Sequence, residues 1–88
     1  MRIAESVEGL ERIRAIVSDF RGKVVSLTTE IQKNNDTDTD QAATEINFLA
    51  EEIRKKTEVL ASDVIKTVEI RSKALREYNA LAYNKGNY

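Results

Sequence analysis

Apolar residues recur at Ile3, Val7, Leu10, Ile13, Val17, Phe20, Val24, Leu27 and Ile31, each three or four positions after the last. That spacing keeps one stripe on one side of an α-helix for about eight turns and rules out the two-residue alternation of a half-buried strand. Nothing in the chain opposes so long a helix, because proline, whose ring would clash with the preceding turn, is absent. Of the three glycines, Gly9, Gly22 and Gly86, Gly22 lies mid-helix and off the stripe. It is either a tolerated surface glycine, costing about 1 kcal/mol against alanine, or a place where another backbone comes close.

The stripe stops at Lys33-Asn34-Asn35-Asp36-Thr37-Asp38-Thr39-Asp40. Asn, Asp and Thr side chains bond to nearby backbone and favour turns and helix caps, so this segment is a corner. Asp38 with Gln41 three residues on matches a capping box, and the acidic cluster suits a helix N-terminus. A second stripe then runs Ile46, Leu49, Ile53, Leu60, Val64, Val68, Leu75, Tyr78 and Ala82, interrupted at Thr57 and Arg71. Polar Asn84-Lys85 and Gly86 end it. The chain is thus expected to be one all-α domain over 1–88: a helix over about 3–33, a polar turn at 34–40 and a helix over about 41–84. At 1.5 Å per residue the helices are about 46 Å and 65 Å long.

Folding the chain back at residue 37 makes it an antiparallel two-helix hairpin and sets the stripes opposite each other. Ile31 meets Ile46, Leu27 meets Leu49, Val24 meets Ile53, and Phe20 falls opposite Thr57. Val17 faces Leu60, Ile13 faces Val64 and Leu10 faces Val68. Two helices alone make a slab without a closed core, and 88 residues are few to enclose one. With no Cys and no His, neither disulfides nor a zinc or haem site can supplement the fold. The expected supplement is a protein surface: a homodimer, or another helical protein, completing a four-helix bundle.

The same residues exclude most chemistry. Glu51/Glu52 and Glu8/Glu11 are carboxylate pairs on wet helix faces, without the sheltered pocket that acid–base catalysis needs. The serines have no histidine to activate them, so no catalytic residue is assigned and an enzyme is not expected. Asn34, Asp36, Asp38, Asp40 and Glu45 fall at ligand positions of a calcium-loop frame. However, Thr39 stands where that loop requires glycine, and no metal or cofactor is assigned. Residues 54–88 carry an excess of basic side chains, dispersed by Glu58, Asp63, Glu69 and Glu77, and the net charge is −1. Nucleic-acid binding is therefore not expected. No run approaches the roughly 20 apolar residues of a membrane span, and the N-terminus lacks a secretory h-region. A cytoplasmic location is expected, with export by a route that uses no cleaved signal left open.

All three tyrosines, Tyr78, Tyr83 and Tyr88, fall in the last eleven residues, past the end of the first helix. Tyrosine combines an apolar body with a polar tip and is enriched at interfaces. The expected partner contacts are Phe20, Val24, Ile53, Leu60 and Leu75 on the seam, and Tyr78, Leu81 and Tyr83 on the tail.

A hairpin of under a hundred residues with a polar midpoint and a tyrosine-bearing tail resembles the small helical proteins of type VII secretion systems. It is more similar to the relatives lacking Trp-x-Gly that accompany LXG toxins than to the WXG proteins themselves. The likeness spans the whole chain and is architectural. The turn carries Asp/Thr repeats in place of Trp-x-Gly, and the Tyr-x-x-x-Asp/Glu export motif is unmatched: Ala82 stands four after Tyr78 and Asn87 four after Tyr83. An aromatic-x-x-x-acid spacing occurs at Phe48–Glu52, early in the second helix. The resemblance implies a targeting or chaperone-like factor that packs on the helical N-terminal region of a toxin. The alternative is a self-assembling structural or adaptor coiled coil, including a secretion filament subunit.

Overall fold

A computed structural model of the chain describes residues 6–36 and 40–86, the side chains of 82–86 excepted. Helix α1 spans Val7–Lys33 and helix α2 spans Gln41–Gly86. Ser6, extended at φ −102° and ψ 143°, sets the start of α1: its hydroxyl accepts from the Gly9 N–H at 2.9 Å. That bond satisfies one of the amides a helix N-terminus leaves unpaired. Glu8 in the first turn and Lys33 in the last both complement the helix dipole. Ile3, expected on the first stripe, lies outside the described residues.

At the other end, Asn34 closes α1. Its backbone N–H and its side-chain Nδ2 both donate to the Glu30 carbonyl, at 3.1 and 2.9 Å. The Asn35 amide reaches across the corner to the Ala43 carbonyl at 2.5 Å, tying the exit of α1 to the first turn of α2. Asp40 caps α2: its Oδ1 accepts from the Ala43 N–H at 2.8 Å. Asp38, the expected cap, lies outside the described residues.

The two helices pack against each other as an antiparallel hairpin, and no strand occurs among the described residues. The molecule measures 74 × 20 × 14 Å, so it is a slab about one helix thick.

What lies between the helices differs from the expected seam. The buried residues are Leu10, Val24 and Thr28 of α1 and Ala43, Ala50, Ala61, Val68 and Ser72 of α2. On α2 these residues, with half-buried Asn47, Arg54, Thr57, Ile65 and Leu75, form an unbroken track at steps of three and four. It is a second stripe, one position round from the large apolar one, and mostly small or polar. Helix axes approach more closely over Ala, Ser and Thr than over Leu and Ile, so the small track turns inward. The large residues are left outside. Phe20, Leu27, Ile31, Ile46, Leu49, Ile53 and Leu60, all expected inside the seam, are exposed. The register itself holds at mid-chain: Phe20 and Thr57 line one groove, together with Val17 and Leu60.

Candidate helix-packing face

At 100° per residue, Phe20, Leu27 and Ile31 lie to one side of the buried line of α1, and Arg14, Arg21 and Gln32 lie to the other. On α2, Ile46, Ile53, Leu60 and Val64 flank one side of the Ala61 line, and Glu51, Glu58, Glu69 and Arg76 the other. Because the helices run antiparallel, the two apolar flanks share one broad face of the slab. The groove lined by Val17, Phe20, Thr57, Leu60, Ala61 and Val64 spans both helices on that face. Phe20 is 59% exposed, Leu27 63% and Leu60 66%. Isolated exposed apolar residues are ordinary, but a continuous band of this kind marks an interaction surface.

The opposite face is polar and cross-linked. Arg21 Nε stands 3.7 Å from Glu58 Oε1, Arg14 NH2 3.4 Å from Glu69 Oε2, and Arg76 NH2 2.7 Å from Glu11 Oε1. Nearer the corner a half-buried network joins the helices. Arg54 donates to Thr28 Oγ1 at 3.2 Å, to Gln32 Oε1 at 2.7 Å and to Glu51 Oε1 at 2.6 Å. Gln32 Nε2 donates to the same Glu51 oxygen at 3.0 Å. The Thr28 hydroxyl lies 2.8 Å from the Val24 carbonyl and 3.1 Å from that of Val25. The Gln32 hydrogen bond is the largest influence holding the Glu51 carboxyl below its ordinary value of 4.5; burial opposes it, and the charges of Arg54 and then Lys55 add smaller lowering effects. Such a network fixes which residues face each other, a role that depends on its being satisfied. Asn47 Oδ1 is buried beside it without a hydrogen-bond partner.

The expected partner residues divide into four groups. Phe20, Ile53 and Leu60 lie on the apolar face. Val24 is buried between the helices and half-buried Leu75 lies on the same track, so Val24 is no outward contact. Tyr78, 67% exposed, and Leu81, also exposed, lie on α2 beyond Arg76, which bonds Glu11 of α1. The Tyr83 side chain lies outside those described. The expected list omitted Leu27, Ile31, Ile46, Leu49 and Val64, which the sequence reading had paired inside the hairpin. The Ala43–Ala50–Thr57–Ala61–Val68 track was the signal that would have freed them.

Other features carry structural roles. Glu51 is engaged by Arg54 and Glu11 by Arg76. Asp40 and Asn34 are used as caps, and among the described residues no three Asp or Glu side chains gather as a metal site. A Cβ at Gly22 would meet nothing within 4 Å, so among the described residues α2 makes no close approach there. No helix among the described residues is long and apolar enough to cross a membrane.

No protein-family model matches this chain, and no curated protein or solved structure shows significant similarity to it. The likeness to type VII secretion proteins therefore rests on architecture alone.

Proposed function

We propose that this chain is a non-enzymatic helix-packing protein whose apolar face, centred on Phe20, Ile53 and Leu60, receives helices from outside the hairpin. One observation carries the reading: the α2 side of the helix contact is mostly small or polar, while Phe20, Leu27, Ile31, Ile46, Ile53 and Leu60 stand exposed together on one face. Within that reading, the architectural resemblance favours a targeting or chaperone-like factor for a type VII secreted LXG toxin, acting in the cytoplasm and taking the toxin's helical N-terminal region as partner. The overhanging end of α2, with Tyr78 and Leu81, supplies a second contact.

The test is recovery of partners from native cells with the tagged protein, compared with Leu60→Lys and with a chain ending at Glu77. Stable one-to-one capture of a longer protein with a helical N-terminal region, lost on either change, supports the targeting reading. Recovery of the bait alone, as a dimer or a ladder, overturns it.

A specific observation also favours the second reading, a self-assembling structural protein. Phe48, Val59 and Ile70 are exposed on α2, turned away from the apolar face by the helical period. Two separate apolar surfaces on one subunit allow the heterologous contacts that build open fibres. Concentration-dependent fibres, abolished by Ile70→Lys, would select it.

A further inference from the structure

We infer that in the free protein the apolar face is covered by a second copy of this chain, packed face to face as a two-fold four-helix bundle. The inference rests on the helix-packing reading above and names the first occupant of the same face.

Area supplies the first argument. The chain exposes 7075 Å², whereas a compact monomer of 10.0 kDa exposes about 5,200 Å². Its radius of gyration is 20.1 Å, against about 12 Å for a compact domain of this length. The excess surface is thus about a third of the compact value, more than the ~800 Å² each partner loses at an interface of standard size. On the face itself Phe20, Leu27, Ile31, Ile46, Ile53 and Leu60 are each at least 41% exposed, a continuous apolar band of the kind that marks an interaction site.

Charge supplies the second argument. A two-fold interface brings each residue of the patch against the same patch, so a patch carrying one sign of charge repels its own copy. Between the apolar stripes of α1 and α2 lies Thr57, and the groove residues around it are all uncharged. The ion pairs between the helices sit on the opposite face, Lys23 beside Leu27 is paired with Asp19, Arg71 is the cation within the α2 stripe, and the net charge of −1 gives two copies little to overcome. Shape agrees with both: the groove beside Phe20 and Leu60 is an apolar recess at the helix junction, the kind of hole into which a knob from a facing helix fits.

Sedimentation equilibrium of the full chain across 1–200 µM tests the inference, with thermal unfolding followed by circular dichroism over the same range. The expected result is a dimer whose dissociation constant rises at least tenfold in Leu60→Ala and is unchanged in Ile70→Lys, with a wild-type melting midpoint that climbs with concentration. The midpoint needs no variant, so it answers even if loss of the dimer unfolds the hairpin. A helical monomer at every concentration, with a constant midpoint, overturns the second copy. It leaves the helix-packing reading to the capture experiment, where Leu60→Lys decides. A dimer indifferent to Leu60→Ala and broken by Ile70→Lys also overturns it, moving the contact to the outer side of α2.

Discussion

Ser6 and Asp40 do the same work at the two helix starts: each places one side-chain oxygen where an unpaired amide needs it. Asp40 has the larger consequence, because the amide it satisfies belongs to Ala43, whose carbonyl also receives Asn35 from across the corner. Asp40→Ala should lower stability by about 1 kcal/mol in urea titration, and Asp40→Asn should recover most of the loss. Glu51 gives the fold a pH dependence. Its carboxyl is held below 4.5 by the bond from Gln32 and the charge of Arg54, so the folded state prefers it ionised. A carboxylate with a lowered folded value contributes fully above its unfolded value, and the contribution disappears as the pH falls through the folded one. Acid titration should therefore weaken the hairpin below about pH 4.5, and Glu51→Gln should flatten that part of the curve. An unchanged acid limb in Glu51→Gln would show the network to be idle.

For each element, the decisive fact is which of two adjacent stripes turns inward. Ala50 is 2% exposed and lines no groove on the apolar face, so leucine there has no room. Ala50→Leu should cost about 1–3 kcal/mol by overpacking. Ile70→Ala, on the wet side of the same helix, should stay within about 0.5 kcal/mol. The all-helical class, the corner and the antiparallel pairing were legible, because steps of three and four and a block of Asn, Asp and Thr report directly on backbone preference. The inward face was not legible from the same pattern. Apolar periodicity shows which side of a helix avoids water, but it does not say whether the cover is the chain itself or another molecule. The Ala–Thr–Ala–Val–Ser track has the same period and scores lower on every hydrophobicity scale, so the heavier stripe was placed in the seam and Leu27, Ile46 and Val64 were paired there. Arg54, in sequence only one of the basic side chains of residues 54–88, bonds residues of both helices.

The molecule as a whole is lopsided. Helix α1 has 27 residues and α2 has 46, and the last ten residues of α2 run about 15 Å past the Arg76–Glu11 contact. A chain ending at Glu77 should keep its helix–helix contact, with a melting midpoint within a few degrees of the full chain measured at equal concentration. A large fall would show the tail to be part of the fold.

The seam and the large residues of the face are different residues of the same two helices, with Thr57 and Ala61 at their border. Fold and recognition are therefore separable traits in this chain. A change at Ala50 is tested by the hairpin itself, in any context. A change at Leu60 or Phe20 leaves the hairpin contact in place and is tested only by whatever meets the face. Descendants of this sequence can exchange one associate for another by altering the outer stripe, while the inner one holds the scaffold constant.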